Sequence, residues 1–277
     1  MSKIKLDEIG PWSEIKLEIV KEYASAYSII MNKQSLSGGY YYIDGFAGAG
    51  VHLLKSTQNP VLGSPTNALL ITPPFTGYHF IDLDGDKTDL LQELSKGNPK
   101  VSVYTGDCNK ILLDKIFPSI KYENYNRGLC LLDPYGLHLD WKVMYAAGQS
   151  KAIEIFLNFP LMDMNMNILW NNPDKVEAKQ VERMNAFWGD DGWRKISYKK
   201  QKGLFETYEE KTTHAPLIKA FCERLRTVAG FAYVPEPVPM RNTKGGIVYY
   251  LFFASPNKTG HKIVKDIFDK YRNKGIV

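Results

Sequence analysis

Four aspartates recur through the first half of the chain: Asp44, Asp82, Asp107 and Asp133. Each closes or follows a short apolar run: YYYI at 40–43, GYHFI at 77–81, VSVYT at 101–105 and GLCLL at 128–132. The first acid opens onto the small-residue stretch GFAGAG, and the last opens Asp-Pro-Tyr-Gly. An acid and a glycine-rich turn after a strand mark a ligand site at the carboxyl ends of a sheet. Three ligand chemistries compete. A phosphate cradle of the P-loop kind needs G-x-x-x-x-G-K-[ST], but Lys55-Ser56 follows Leu54. A dinucleotide fingerprint needs G-x-G-x-x-G and an acid about 20 residues on. Here Gly45, Gly48 and Gly50 run in the order G-x-x-G-x-G, and Asp82 lies 32 residues after Gly50. The third is S-adenosylmethionine, a cationic cofactor without phosphate. Asp44 can help hold its ammonium through water or backbone, and Gly48 and Gly50 let the chain pass close by. Asp82 can accept both ribose hydroxyls, and Asp107 can accept the adenine amine. Gly45, Phe46, Leu83 and Cys108 adjoin these positions and complete the candidate cofactor set. Each acid alone also fits a helix cap or turn residue; the ordered series carries the cofactor reading.

The elements that must carry these residues are legible from periodicity. Helical spacing of Ile15, Ile19, Tyr23, Ala26 and Ile30 predicts an opening helix over 12–34, capped by Ser13. Ser64-Pro65 reads as the cap and first turn of another helix, and 86–96 and 109–117 also read as helix. A fifth strand is expected at 152–159. Strands alternating with helices imply a mostly parallel, doubly wound sheet. FAYVPEPVPMR and IVYYLFFAS, joined by a turn at TKGG, predict a terminal antiparallel hairpin before a last helix at about 260–273. The expected fold class is α/β: a seven-stranded, Rossmann-like sheet in one domain over 1–277. A helical insertion interrupts it at about 160–230.

The series YIDGFAGAG, FIDLD, GDCNKIL and LLDPYG resembles the class I methyltransferases that modify adenine. GPWSEIK, DGFAGAG, GSP, FID, DPYG, FWG and YYLFFAS together resemble the three-Cys-motif partner protein family over nearly the whole chain. The resemblance implies S-adenosylmethionine as cofactor and a companion protein carrying three cysteines. It also implies methyl transfer, with nucleic acid the favoured substrate, through Asp133, Pro134 and Tyr135. In the adenine enzymes the acid and a proline carbonyl accept hydrogen bonds from the exocyclic amine, and an aromatic stacks on the base. This chain departs from Asp-Pro-Pro-Tyr: Tyr135 replaces the second proline and Gly136 stands where the stacking ring belongs. The rival expectation is a partner subunit that keeps the fold and catalyses nothing.

The stretch 188–202 interleaves Trp188, Trp193 and Tyr198 with Arg194, Lys195, Lys199 and Lys200. Basic residues track phosphates and aromatics stack on bases, which makes Trp193, Arg194, Lys199 and Lys200 candidate substrate contacts. The competing reading is a solvated basic face with its tryptophans in the core. His52 and His138 follow the two motifs and are candidate acids or bases. The charge of +5 permits an anionic partner without demanding one. Three scattered cysteines without C-x-x-C spacing argue against a disulfide framework or zinc site and suit a reducing cytoplasm. No apolar run reaches the ~18 residues of a membrane span, no signal-peptide core opens the chain, and no metal is expected.

Overall fold

The structure is a computed structural model in which residues 6–202 and 207–273 are described, without the side chains of 202, 207 and 208. In chain order its strands are β1 (Glu8–Ile9), β2 (Tyr40–Asp44), β3 (Val51–Leu54), β4 (Pro60–Leu62), β5 (Gly77–Asp82), β6 (Val101–Thr105), β7 (Arg127–Leu132), β8 (Ile153–Phe159), β9 (Tyr198–Lys202), β10 (Thr207–Lys211), β11 (Val238–Arg241) and β12 (Ile247–Ala254). The α-helices are α1 (Pro11–Gln34), α2 (Ser64–Leu69), α3 (Gly85–Leu94), α4 (Cys108–Ile111), α5 (Phe117–Ser119), α6 (Trp141–Ser150), α7 (Leu161–Asn167), α8 (Ala178–Trp188), α9 (Gly192–Ser197), α10 (His214–Thr227) and α11 (Lys258–Asn273).

Seven strands form the main sheet in the order β11-β12-β8-β7-β2-β5-β6. β2, β5, β6, β7 and β8 run parallel, while β12 is antiparallel to both β8 and β11. This is the seven-stranded class I methyltransferase fold, with its antiparallel terminal hairpin. The chain fills β2, β5 and β6 on one side, then returns to pair β7 with the other edge of β2. The connection order therefore reverses at β2, and a crevice opens outside the carboxyl ends of β2 and β7.

Side chains alternate across the sheet with period two. Tyr40, Tyr42, Leu129, Leu131, Phe156 and Phe253 pack under α1 and α11 on one face. Ile43, Cys130, Leu132, Ile155, Leu157 and Phe252 pack under α6, α8 and α10 on the other. Burial on both faces explains why these strands read as continuous apolar runs.

Two capping expectations are corrected. The N-cap of α1 is Gly10, with Pro11 in the first turn, and Ser13 lies inside the helix. The N-cap of α2 is Gly63, and Ser64 is the first helical residue. The interrupted region contains more than helices, because β9 and β10 form an antiparallel hairpin. After the glycine loop, β3 and β4 join β1 in a small sheet that has no counterpart in the sequence expectation.

Candidate active site

Parallel strands set their carboxyl ends on one rim, so the acids that end them must converge. A cleft of about 880 Å³ opens there and is lined by Gly45, Phe46, Gly48, Asp82, Leu83, Asp107, Cys108, Asp133, Pro134 and Tyr135. That volume lies in the ~300–1,000 Å³ range of small-molecule sites.

The glycine loop continues the sheet's hydrogen bonding past its last strand residue. Gly45 N donates to Leu131 O at 2.9 Å, and Ala47 N donates to Ile81 O at 2.8 Å. Gly48 then donates its N–H to Asp82 Oδ2 at 2.8 Å. Gly48 sits at φ +63, and a Cβ built on it would meet nothing closer than 3.8 Å. The left-handed backbone and the open cleft both favour glycine at this position. Asp82 Oδ1 accepts from Asp84 N at 2.9 Å. Each of its oxygens keeps further lone-pair capacity for a ligand hydroxyl.

Two cofactor candidates stand apart from the cleft. Asp44 is fully buried and accepts from Ser64 Oγ at 2.5 Å and Phe46 N at 3.2 Å. Burial pushes its carboxyl up to about 7, against the opposing pull of the Ser64 and Phe46 hydrogen bonds. It holds the cleft-lining Ser64 and Phe46 in place and does not itself line the cleft. Gly50 is also behind the cleft wall, accepting from Thr66 Oγ1 at 2.7 Å and Gly63 N at 2.8 Å. Asp107 lines the cleft and caps α4, accepting from Asn109 N at 2.9 Å. Burial raises the Cys108 thiol to about 12, with Asp107 adding to the shift, so the thiol stays protonated.

The methyl-acceptor candidates lie at the other end of the cleft. Lys16, on α1, pairs with Asp133 Oδ2, and the two side chains are 8% and 24% exposed. Asp133 Oδ1 accepts from Asn158 Nδ2 at 2.9 Å. Lys16 Nζ also stands 5.7 Å from the Tyr249 ring centroid. Tyr135 is 78% exposed and lines the cleft with its hydroxyl toward Asp7. Gly136 has a packing reason: a Cβ there would lie 2.8 Å from Asp163 Oδ2. Asp163 accepts from Leu137 N at 3.1 Å and pairs with Arg183 at 3.3 Å, which clamps the Asp-Pro-Tyr-Gly loop onto α7.

Trp12, Lys16, His52, His138, Asn158 and Tyr249 also line the cleft. Burial, with Lys16 nearby, holds His52 below its ordinary value. Sequence reasoning missed the ion pair because 117 residues separate Lys16 from Asp133. It missed Asn158 although a signal was present: an amide in the buried run IEIFLNF must find polar partners.

The expected nucleic-acid surface is not assembled at the cleft. Trp188, Trp193 and Tyr198 are 1%, 3% and 5% exposed, so they are core residues and Trp193 offers no stacking face. Arg194 is paired with Asp174 at 2.9 Å and Glu209 at 3.2 Å. Lys199 and Lys200 are exposed on β9, opposite Glu210 and Glu209. The cleft lining carries Asp7, Glu8, Asp82, Asp84, Asp107 and Asp133 against Lys16, Lys55 and Lys87. Six carboxylates against three ammoniums favour a cationic ligand. Among the described residues no group of acids, histidines or cysteines could hold a metal ion, and no helix is long and apolar enough to cross a membrane.

No protein-family model matches the sequence, and no curated protein matches it. The three-Cys-motif resemblance therefore rests on the motifs alone. Among solved structures the chain is similar to a Legionella pneumophila protein of the DUF519 family, with a TM-score of 0.53 and 12% identity over 92% of this chain and 91% of that one. An S-adenosylmethionine-dependent methyltransferase from Clostridium acetobutylicum matches at a TM-score of 0.41 and 12% identity, covering 85% of this chain and 91% of its own. One from Mesorhizobium loti matches at 0.36 and 9%, covering 79% and 91%. The first likeness supports the fold, the lower scores carry no further weight, and the chemistry rests on this chain's own residues: an acid-lined cleft at the switch point of a seven-stranded class I methyltransferase fold.

Proposed function

We propose that the protein is an S-adenosylmethionine-dependent methyltransferase acting on an amino nitrogen of nucleic acid, with an adenine amine of RNA or DNA favoured. The observation that carries this reading is the meeting of Gly48, Asp82, Asp107 and Asp133 in one cleft at the switch point of the sheet. The residues fit the cofactor. Asp82 has lone pairs for ribose hydroxyls, Gly48 leaves room for a close approach, and the carboxylate excess suits a sulfonium and an ammonium. The cofactor supplies an activated methyl carbon. The chain's task is then alignment, because a fixed near-attack geometry supplies much of the rate of a displacement. Pro134 O and the exposed Tyr135 ring stand at the acceptor end of the cleft. Support for nucleic acid comes from the Asp-Pro-Tyr motif, since in the stretch 188–202 the aromatics are buried, Arg194 is ion-paired, and the exposed Lys199 and Lys200 do not line the cleft.

A partner-subunit reading draws on different residues. Met162, Met166 and Trp170 are 44%, 63% and 40% exposed on and just after α7. An apolar stripe of this kind suits a companion protein. Calorimetric titration with S-adenosylhomocysteine, beside an Asp82→Ala variant, separates the two. The enzyme reading expects binding in the parent and at least a tenfold loss in the variant, followed by transfer of a labelled methyl group to RNA or DNA. No binding in the parent would leave the partner-subunit reading standing.

A further inference from the structure

The acceptor end of the cleft holds a polar atom with no use in the free protein. Asn158 is 8% exposed, and its side chain lines the cleft beside Asp133 and Pro134. Its Nδ2 donates to Asp133 Oδ1 at 2.9 Å and to Pro134 O at 3.4 Å. Exchanging the amide nitrogen and oxygen would set an oxygen against two acceptors, so the orientation is fixed by its partners. That leaves Oδ1 buried with no hydrogen-bond partner. A buried, unpaired acceptor is costly and rare in a folded protein, and it marks a place where a partner arrives.

Asp133 is the expected reader of an acceptor amine; each of its oxygens already accepts one hydrogen bond, from Lys16 or from Asn158, whereas Asn158 Oδ1 accepts none. We propose that the acceptor-gripping role passes to Asn158, whose Oδ1 takes an N–H of the methyl acceptor. Asp133, paired with Lys16 through Oδ2, fixes the Asn158 amide through Oδ1. This inference rests on the S-adenosylmethionine reading of the cleft and names the acceptor class: a nitrogen carrying at least one hydrogen. Carbon and thioether acceptors have no such hydrogen to give. In the transfer, the nitrogen lone pair forms the bond to the methyl carbon. The carbon–sulfur bond breaks with its electrons left on sulfur. The proton of the methylated nitrogen leaves to water in the open cleft. Asn158 gains no proton; it orients the lone pair.

The inference can be tested before the acceptor is known. Sinefungin carries an amine in place of the sulfonium methyl and so presents N–H groups where the acceptor meets the cofactor. The quantity to measure is the ratio of sinefungin affinity to S-adenosylhomocysteine affinity, by calorimetry, with folding checked by circular dichroism. The parent is expected to prefer sinefungin. Asn158→Ser, which removes the amide oxygen, is expected to lower the ratio by about tenfold or more, the loss of one hydrogen bond to a charged group. Asn158→Asp keeps an oxygen acceptor while its second oxygen meets Asp133 Oδ1 and Pro134 O and needs a proton there, so the ratio is expected to stay above that of the Ser variant. An unchanged ratio in the Ser variant, or a ratio in the Asp variant no higher than in the Ser variant, would overturn the assignment. Failure of the parent to bind either compound would instead overturn the cofactor reading on which the inference rests.

Discussion

The Lys16–Asp133 pair should respond asymmetrically to its two halves. Lys16→Met leaves the Asp133 carboxylate, whose side chain is 24% exposed at an open cleft and can recover water. Removing one partner of a buried pair costs about 3–5 kcal/mol when the remaining charge stays dry, and access to water reduces this to roughly 1–2 kcal/mol here. Asp133→Asn leaves Lys16, whose side chain is only 8% exposed. The new amide faces two donors, Lys16 Nζ and Asn158 Nδ2, and either orientation sets its NH2 against one of them. The expected cost is about 3 kcal/mol, near the lower end of the buried range because Lys16 lines the open cleft. Lys16→Met/Asp133→Asn removes both charges and should cost less than the two singles together, by about 1–2 kcal/mol of coupling. Urea unfolding of the parent and three variants measures these differences. Additivity within roughly 0.5 kcal/mol, or a larger loss for Lys16→Met than for Asp133→Asn, would refute the pairing and the exposure argument behind it.

Three further outcomes are expected. Gly48→Ala should cost about 1 kcal/mol in unfolding experiments because φ +63 disfavours a side chain, while its effect on S-adenosylhomocysteine affinity should be larger than that loss. Burial raises the carboxyls of Asp44 and Glu154 to about 7 in the folded chain. Their unfolded values lie near 4, so the folded state binds more protons in between. Stability should therefore fall as pH rises from about 4 to about 7, then level off, and Glu154→Gln should flatten the profile in thermal melts. Trp193→Ala should destabilise the fold by about 3–5 kcal/mol through the cavity it leaves. Lys199→Ala with Lys200→Ala should change stability by less than about 0.5 kcal/mol; equal losses in the two experiments would contradict the placement of Trp193 in the core.

Much of the sheet was legible in the sequence because β2, β7 and β8 are buried on both faces, so each reads as a nearly continuous apolar run, while the edge strand β6 still alternates valines with polar residues. The order of strand-end acids was legible for the same reason: once the strands are parallel, their last residues share a rim. Short exposed elements were not. β3 and β4 mix His52, Pro60 and aliphatics over a few residues and gain their identity only by pairing with each other and β1. Ser13 and Ser64 resembled caps by type, but glycines hold those places and free Ser64 to bind Asp44. The tryptophans at 188 and 193 looked like a stacking surface because lysines flank them; burial depends on neighbours far away in sequence. Long-range pairing was the main loss, since nothing local joins Lys16 to Asp133 or identifies Asn158 as the third member.

The most direct test of the central claim is a crystal structure of the protein with S-adenosylhomocysteine bound. The account predicts density in the cleft, with the ribose on Asp82, the chain of the ligand passing Gly48, the base beside Asp107 and the sulfur pointing toward Asp133 and Asn158. A ligand bound away from that rim, or a cleft that stays empty at saturating concentration, would contradict it.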